Sequence, residues 1–277
     1  MHSRLAITIL VDNEATGELS PEHGLSLWLE TSAGRILFDT GEGSALPGNA
    51  SKLGIDLASA DLLALSHGHY DHTGGICHVL GRATGVHLYG HPAALQPRYA
   101  ILGDVAALAS MPSESVSAVQ QLPAERLHWT VSPTLISECI GLTGPIPRIT
   151  PYEDAGGPFY LDEKKLNPDS IEDDQALWIN TASGLVICVG CCHAGLVNTI
   201  HYVRHLTGVS RIRAIIGGFH LFQANDERLQ QTIAVLQSLA PELIVPCHCS
   251  GGSAVEILQN TFGERVICGH GGATYEF

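Results

Sequence analysis

The chain has 277 residues, 45% of them apolar, and its 28 acidic side chains against 14 basic ones give a formal charge of −14. That length and apolar share suffice for a substantial buried core in one domain. The negative charge argues against nucleic acid or an anionic membrane as partner, and no run of eighteen apolar residues offers a membrane span.

The first seventy residues read as strands. Leu5 to Asp12 goes directly into strand without a cleavable signal pattern, so the expected location is the cytoplasm. A second strand from Leu25 to Glu30, a turn at Ser32-Ala33-Gly34 and a third strand from Arg35 to Phe38 form a hairpin feeding Asp39-Thr40-Gly41. Asn49 to Leu53 reads as a short helix, Asp61 to Leu65 as a strand, Ile76 to Gly81 as a helix start and Val86 to Tyr89 as a strand. Residues 92–128 show weak helical periodicity, which suits an inserted helical or loop segment serving as a lid. Residues 142–173 are rich in Gly, Pro and charge and read as loop, so the expectation is one domain over 1–277 with an inserted region around 92–170. The remainder alternates. Strands at Ala176–Ile179, Leu185–Val189, Ile212–Ile216, Leu243–Val245 and Val266–Cys268 are interleaved with helices at Val197–Leu206, Glu227–Leu239 and Ala254–Asn260.

The eight cysteines show no disulfide-framework spacing, and four of them lie beside His193 or His248. Reduced thiols near a metal fit better than bridges. Neither Cys191-Cys192-His193 nor Cys247-His248-Cys249 has the paired C-x-x-C spacing of a structural zinc knuckle, so no dedicated structural zinc is expected. The only basic grouping, Arg204-His205 with Arg211 and Arg213, reads as a helix end and loop.

The chemistry concentrates in His67-Gly68-His69-Tyr70-Asp71-His72-Thr73, which follows the apolar run Leu62–Leu65 and precedes Gly74-Gly75. Three imidazoles and a carboxylate on a shaped loop after a buried strand are a metal-holding pattern, since scattered surface histidines do not cluster so. Alternation along the extended stretch sends His67, His69 and Asp71 to one side, and the turn at Asp71-His72 lets His72 reach a neighbouring site. One loop could therefore serve two adjacent ions. Further ligands must come from elsewhere, and three later segments sit directly after hydrophobic strands: Gly190–Gly195, Gly217–His220 and Pro246–His248. His91, in Gly90-His91-Pro92, and His23, in Glu22-His23-Gly24, are weaker candidates.

The pattern H-x-H-x-D-H after a hydrophobic strand resembles the signature loop of the metallo-β-lactamase superfamily, as do Asp39-Thr40-Gly41 and the late His248. The resemblance implies an α+β fold, a four-layer αββα sandwich with metals at one edge of its sheets. It also implies His67 and His69 as ligands of a first metal, and Asp71, His72 and His248 as ligands of a second. Asp39 would orient a metal-bound histidine through the other ring nitrogen. The chain departs from the family in two places. No Pro-Gly-His lies between Val131 and Asp174, and Gly190-Cys191 stands where Gly-Asp is expected. The simplest repair gives the missing nitrogen to His193 and the bridge to a water, a hydroxide or the Cys191 thiolate. His220 is a ligand, a hydrogen-bond donor behind one, a proton donor to the leaving group, or a histidine satisfied at a helix start. Asp173-Asp174-Gln175 either orients a ligand or is a solvated acidic loop.

Two divalent ions, zinc first with manganese or iron as alternatives, would activate a water between them, with Asp71 and His220 closest to the chemistry. That makes the expected enzyme a metal-dependent hydrolase of a small ester or phosphoester, its substrate selected by the lid and its oligomeric state open. The wider motif set, from Val11-Asp12-Asn13 through Gly217-Gly218-Phe219-His220-Leu221 to Pro246-Cys247-His248-Cys249, resembles one branch of the superfamily. That branch carries the label 7,8-dihydropterin-6-yl-methyl-4-(β-D-ribofuranosyl)aminobenzene 5'-phosphate synthase, which hints at a phosphate-bearing or pterin-like substrate. Arg98, Arg148 and Lys164 are then phosphate candidates or surface charges. The alternatives are the synthase itself, a transferase needing a stacking surface such as Trp28, Tyr99 or Phe159, and a non-hydrolytic iron-binding redox or sensor protein.

Overall fold

The computed structural model describes residues 5–277. Its strands begin with β1 (Ala6–Val11), β2 (Ser26–Thr31), β3 (Gly34–Phe38), β4 (Leu62–Ala64) and β5 (His87–Gly90). They continue with β6 (Tyr99–Leu102), β7 (Val105–Leu108), β8 (Leu127–Trp129), β9 (Thr134–Ser137), β10 (Ile140–Leu142) and β11 (Phe159–Tyr160). The last are β12 (Ala176–Thr181), β13 (Gly184–Val189), β14 (Ile212–Gly218), β15 (Leu243–Cys247) and β16 (Thr274–Glu276). The helices are α1 (Leu46–Lys52), α2 (Tyr70–Thr73), α3 (Ile76–Leu80), α4 (Ser113–Gln120), α5 (Leu196–Thr207), α6 (Asp226–Leu239) and α7 (Gly252–Phe262).

The chain divides into two compact units, one of residues up to 131 with 159–169 and 270–277, the other of 132–158 and 170–269. In the first, seven strands run in the order β16-β1-β2-β3-β4-β5-β8. The strands from β16 to β3 pair antiparallel, and β3, β4, β5 and β8 pair parallel. Parallel neighbours require crossovers, and α1, α3 and α4 lie in those crossovers. Their apolar faces, Leu46 and Ala50, Ile76 and Val79, and Val119, pack with Leu10, Trp28, Leu37, Leu63 and Leu88 of the sheet. Glu22 anchors the start of α1, its carboxylate accepting from Gly43 N, Ser44 Oγ and Ala45 N at 2.9, 2.5 and 2.7 Å. Because β3 and β4 run parallel, Asp39 and His67 leave the sheet at the same edge.

The inserted region is more ordered than its weak periodicity suggests. β6 and β7 form a hairpin that β11 joins as a third antiparallel strand, α4 packs into the core through Val119, and β8 completes the main sheet. The hairpin turns Leu102, Val105 and Leu108 outward, all more than 60% exposed. Arg98, fully buried, holds Asp169 at 2.9 Å and ties the hairpin to the 159–169 segment.

The second unit carries six strands in the order β15-β14-β13-β12-β10-β9. β9, β10 and β12 pair antiparallel up to β13, and β13, β14 and β15 are parallel, joined by α5 and α6. Leu185, Ile187, Val189, Ile215 and Ile244 form a core with Leu196, Ile200 and Val203 of α5, Leu236 of α6 and Leu258 of α7. Val266–Cys268, expected as a strand, makes only the single bridge Ile244↔Val266. The parallel run β13-β14-β15 ends at one edge, where Gly190-Cys191, Phe219-His220 and His248 follow, the usual place for a site in such a sheet. No helix of the described residues is long and apolar enough to cross a membrane.

Candidate functional site

In the first unit the histidine loop is fixed through a buried carboxylate. Asp39, fully buried, accepts from Ser66 N at 2.7 Å through Oδ1, and from Ser66 Oγ at 2.6 Å and His72 Nδ1 at 2.7 Å through Oδ2. The His72 proton is thereby placed on Nδ1, and Nε2 carries the lone pair. Ser66, having given its own proton to Asp39, accepts from His67 Nδ1 at 2.9 Å, so His67 also presents Nε2 as its lone-pair nitrogen. That nitrogen faces His69 Nδ1 at 2.9 Å, a spacing at which two ring nitrogens share one proton. Asp71 closes the set, its Oδ2 3.8 Å from His72 Nε2 and 3.3 Å from Nε2 of His23. His67, His69, Asp71 and His72 are all buried. The Phe159 ring packs on His69, centroids 4.7 Å apart. Beside the loop, burial first and the Asp71 charge second raise the Tyr70 hydroxyl pKa.

In the second unit the loop after β13 is clamped from three sides. Arg148 donates to the carbonyls of His193 and Ser170, Asp174 Oδ2 accepts from Ala194 N at 2.8 Å, and His193 Nδ1 donates to Ala155 O at 2.7 Å. That last bond leaves Nε2 as the lone-pair nitrogen of His193. Glu153 caps α5, accepting from Val197 N and Asn198 N at 2.8 and 2.9 Å. His220 donates Nε2–H to Gly156 O at 2.8 Å, and its ring lies 4.5 Å from that of His193. One ligand atom each from Cys191, His193 and His220 lie within 4.8 Å of one another, as do those of Cys191, His248 and Cys249. Burial pushes the Asp174 carboxyl up to about 7, against the Ala194 hydrogen bond and the Arg148 charge. Burial likewise raises the Cys249 thiol, but the Cys191 hydrogen bond and the His220 and His248 charges carry it well below its ordinary value. Burial depresses His220, and the Cys249 charge overcomes it and raises the imidazole.

Backbone strain marks the same places. Asp39, Cys192, His220 and His248 all have positive φ, 61, 56, 47 and 52°. Non-glycine residues seldom adopt this region, and such strain clusters at functional sites. Gly156, at φ 78°, is required by contact as well: a Cβ there would lie 2.0 Å from His220 Cδ2.

Each unit thus gathers its share of the expected residues: His67, His69, Asp71 and His72 in the first, Cys191, His193, His220 and His248 in the second. The donor set suits divalent cations, with His67, His72 and His193 each aimed by a hydrogen bond at Nδ1. Other expectations need correction. Asp173, Asp174 and Gln175 are buried rather than solvated. Arg98 is not a surface charge, being fully buried against Asp169, whereas Arg148 and Lys164 are exposed, Arg148 donating to backbone carbonyls. His91 Nδ1 accepts from Ala93 N at 3.2 Å as a turn cap. Trp28 is core. Sequence reasoning passed over Glu22, Ser66 and Glu153, because a carboxylate or hydroxyl serving backbone amides of another segment leaves no local spacing. Arg204 and His205 end α5 as expected, Arg211 lies in the following loop, and Arg213 falls within β14 instead, both arginines pairing with Glu242.

Residues 19–206 match the family model described as the Metallo-beta-lactamase superfamily. A Methanocaldococcus jannaschii protein named 7,8-dihydropterin-6-methyl-4-(beta-D-ribofuranosyl)-aminobenzene-5'-phosphate synthase is 28% identical over 272 residues, 92% of this chain and 90% of that protein. An uncharacterized protein of the same organism is 30% identical over 267 residues, 96% of this chain and 98% of its own length. Among solved structures, Tm1679, described as a metal-dependent hydrolase of the beta-lactamase superfamily, superposes with a TM-score of 0.82 at 28% identity, covering 100% of this chain and 99% of that one.

Proposed function

Since this chain belongs to the metallo-β-lactamase superfamily and has its α+β fold, we propose that it is a metal-dependent hydrolase of a small ester or phosphoester. In this reading the 277 residues work as one domain, and His67, His69, Asp71, His72, His193 and His248 hold two divalent cations, with Cys191 as a further ligand. The observation that carries it is the tautomer of three imidazoles. Ser66 behind His67, Asp39 behind His72 and Ala155 O behind His193 each take the proton of one ring nitrogen and direct the other as a lone pair. Histidines that merely satisfied a core would have no reason to be set alike.

When bound, such ions supply a water of near-neutral pKa and polarise a substrate oxygen. The protein's own groups do the rest. Asp71 and His23 face each other at 3.3 Å and can accept and pass on the proton of an attacking water. His220, steadied through Nε2 by Gly156 O, would donate to a leaving group from Nδ1. The hairpin β6–β7 and Phe159 form an apolar border beside His69, suited to the non-reacting part of a small substrate.

A second reading has its own support. Phe159 on His69 offers the stacking surface that a pterin requires, and the relative named as a synthase covers most of the chain. Metal-loaded protein assayed on phosphodiester, lactone and thioester panels, and separately on a pterin with a ribosyl-aminobenzene phosphate, decides between them. Hydrolysis abolished by chelation and by His69→Ala supports the first. Condensation without any hydrolysis overturns it in favour of the second.

A further inference from the structure

We infer that Cys249 is a metal ligand, and that with Cys191 and His248 it makes a sulfur-rich pocket that selects zinc or ferrous iron over magnesium or manganese. The inference rests on the metal-binding reading above and adds to it a ligand and a selectivity.

Sγ of Cys191, a ring nitrogen of His248 and Sγ of Cys249 lie within 4.8 Å of one another. Two features of the chain bring this about. In a regular strand, successive side chains point to opposite faces, so His248 and Cys249 would diverge. The left-handed φ of His248, 52°, and the short turn His248–Ser250 set them on the same side instead. Ser250 Oγ locks that turn, donating to Cys247 O at 2.7 Å and accepting from Phe219 N at 3.1 Å.

The second feature is a gap in the sheet surface. Cys191 follows β13 and Cys249 follows β15, with β14 between them. Neighbouring strands are about 4.8 Å apart, so the two thiols meet only if the intervening strand end is bare. It ends in Gly217-Gly218. A Cβ at Gly218 would lie 2.6 Å from Cys249 Sγ and 3.4 Å from His248 Cδ2. Cys249 Sγ comes within 3.7 Å of Cys191 O across that gap. A cysteine inside a protein is usually a small apolar filler, but a filler needs neither a strained turn nor a bare strand end. Two thiols with an imidazole are a soft donor set, which zinc and ferrous iron accept and oxygen-seeking cations do not.

The test is the cobalt(II)-substituted full-length protein, read by absorption, with zinc-edge X-ray absorption of the wild type beside it. Thiolate-to-cobalt charge-transfer intensity is expected in the wild type, reduced in Cys249→Ser and in Cys191→Ser and absent when both are replaced. The zinc edge is expected to show sulfur at about 2.3 Å. Bound cobalt with ligand-field bands but no charge transfer, or a band that Cys249→Ser leaves unchanged, overturns the inference while the metal-binding reading stands. If Cys249→Ser fails to fold, a wild-type zinc shell of nitrogen and oxygen alone overturns it. Protein that takes up no cobalt or zinc at all overturns the metal-binding reading as well.

Discussion

Asp39→Asn isolates the carboxylate that sets the His72 tautomer. Asn tolerates the positive φ of 61° at this position as well as Asp does, so the backbone is not what changes. With its amide oxygen kept toward Ser66 N, the new NH2 replaces the oxygen that accepts from Ser66 Oγ at 2.6 Å and His72 Nδ1 at 2.7 Å. An amide cannot accept there. His72 must move its proton to Nε2 and accept through Nδ1, which withdraws the lone pair intended for a cation. Two charge-assisted hydrogen bonds are worth about 1.5–3 kcal/mol each, and the weaker amide contacts recover part, so metal-free protein should lose about 2–4 kcal/mol of stability. Disturbing a carboxylate behind a ligating histidine typically lowers metal affinity about 10- to 100-fold. Chelator-competition titration of zinc, with urea unfolding of the metal-free protein, measures both. A folded Asp39→Asn variant that binds zinc as tightly as the wild type would refute the tautomer reasoning.

Three further substitutions probe the frame around the site. Gly156→Ala places a Cβ 2.0 Å from His220 Cδ2 at a φ of 78°, and should displace that ring and lower turnover more than stability, as compared by kinetics and thermal melting. Asp169→Ala leaves the fully buried Arg98 without its carboxylate, and the cost of breaking such a pair, about 3–5 kcal/mol, should appear in the urea midpoint; a change within error would show the pair to be idle. The third concerns His128, whose pKa burial, and then the His87 charge, push below the ordinary 6.5. The unfolded chain therefore takes up the proton first, so this contribution to stability is present above pH 6.5 and lost as pH falls through the lower folded value. His128→Gln should show less acid destabilisation than the wild type over that window, and parallel pH curves for the two would contradict it.

Most strands outside the inserted region, the helices α5, α6 and α7 and the histidine loop were legible because each rests on local pattern: buried runs such as Ile7–Leu10, amphipathic spacing in α5 and α6, and ligand types crowded into His67–His72. What escaped depends on partners far along the chain. β16 pairs with β1 across more than 260 residues, β9 carries polar and exposed residues that blur alternation, and β10 has only three residues. Val266–Cys268 has the composition of a strand, but its pairing stops after one bridge. Asp173 and Asp174 read either as orienting a ligand or as solvated acid, and the burial of Asp174 against Ala194 N rules out the second. Cys249 stood in plain view in Cys247-His248-Cys249, but only a bare Gly218 and a left-handed His248 turn that tripeptide into a pair of convergent donors.

The central proposal is that the loop carrying His67–His72 and the loop carrying Cys191–His193 each supply metal ligands. Metal content of protein purified without chelator, measured by mass spectrometry for the wild type, His69→Ala and His193→Ala, tests it most directly. The account predicts two ions per wild-type chain and fewer in each folded variant. Wild-type protein that stays metal-free after equilibration with zinc, or variants that keep the full complement, would contradict it.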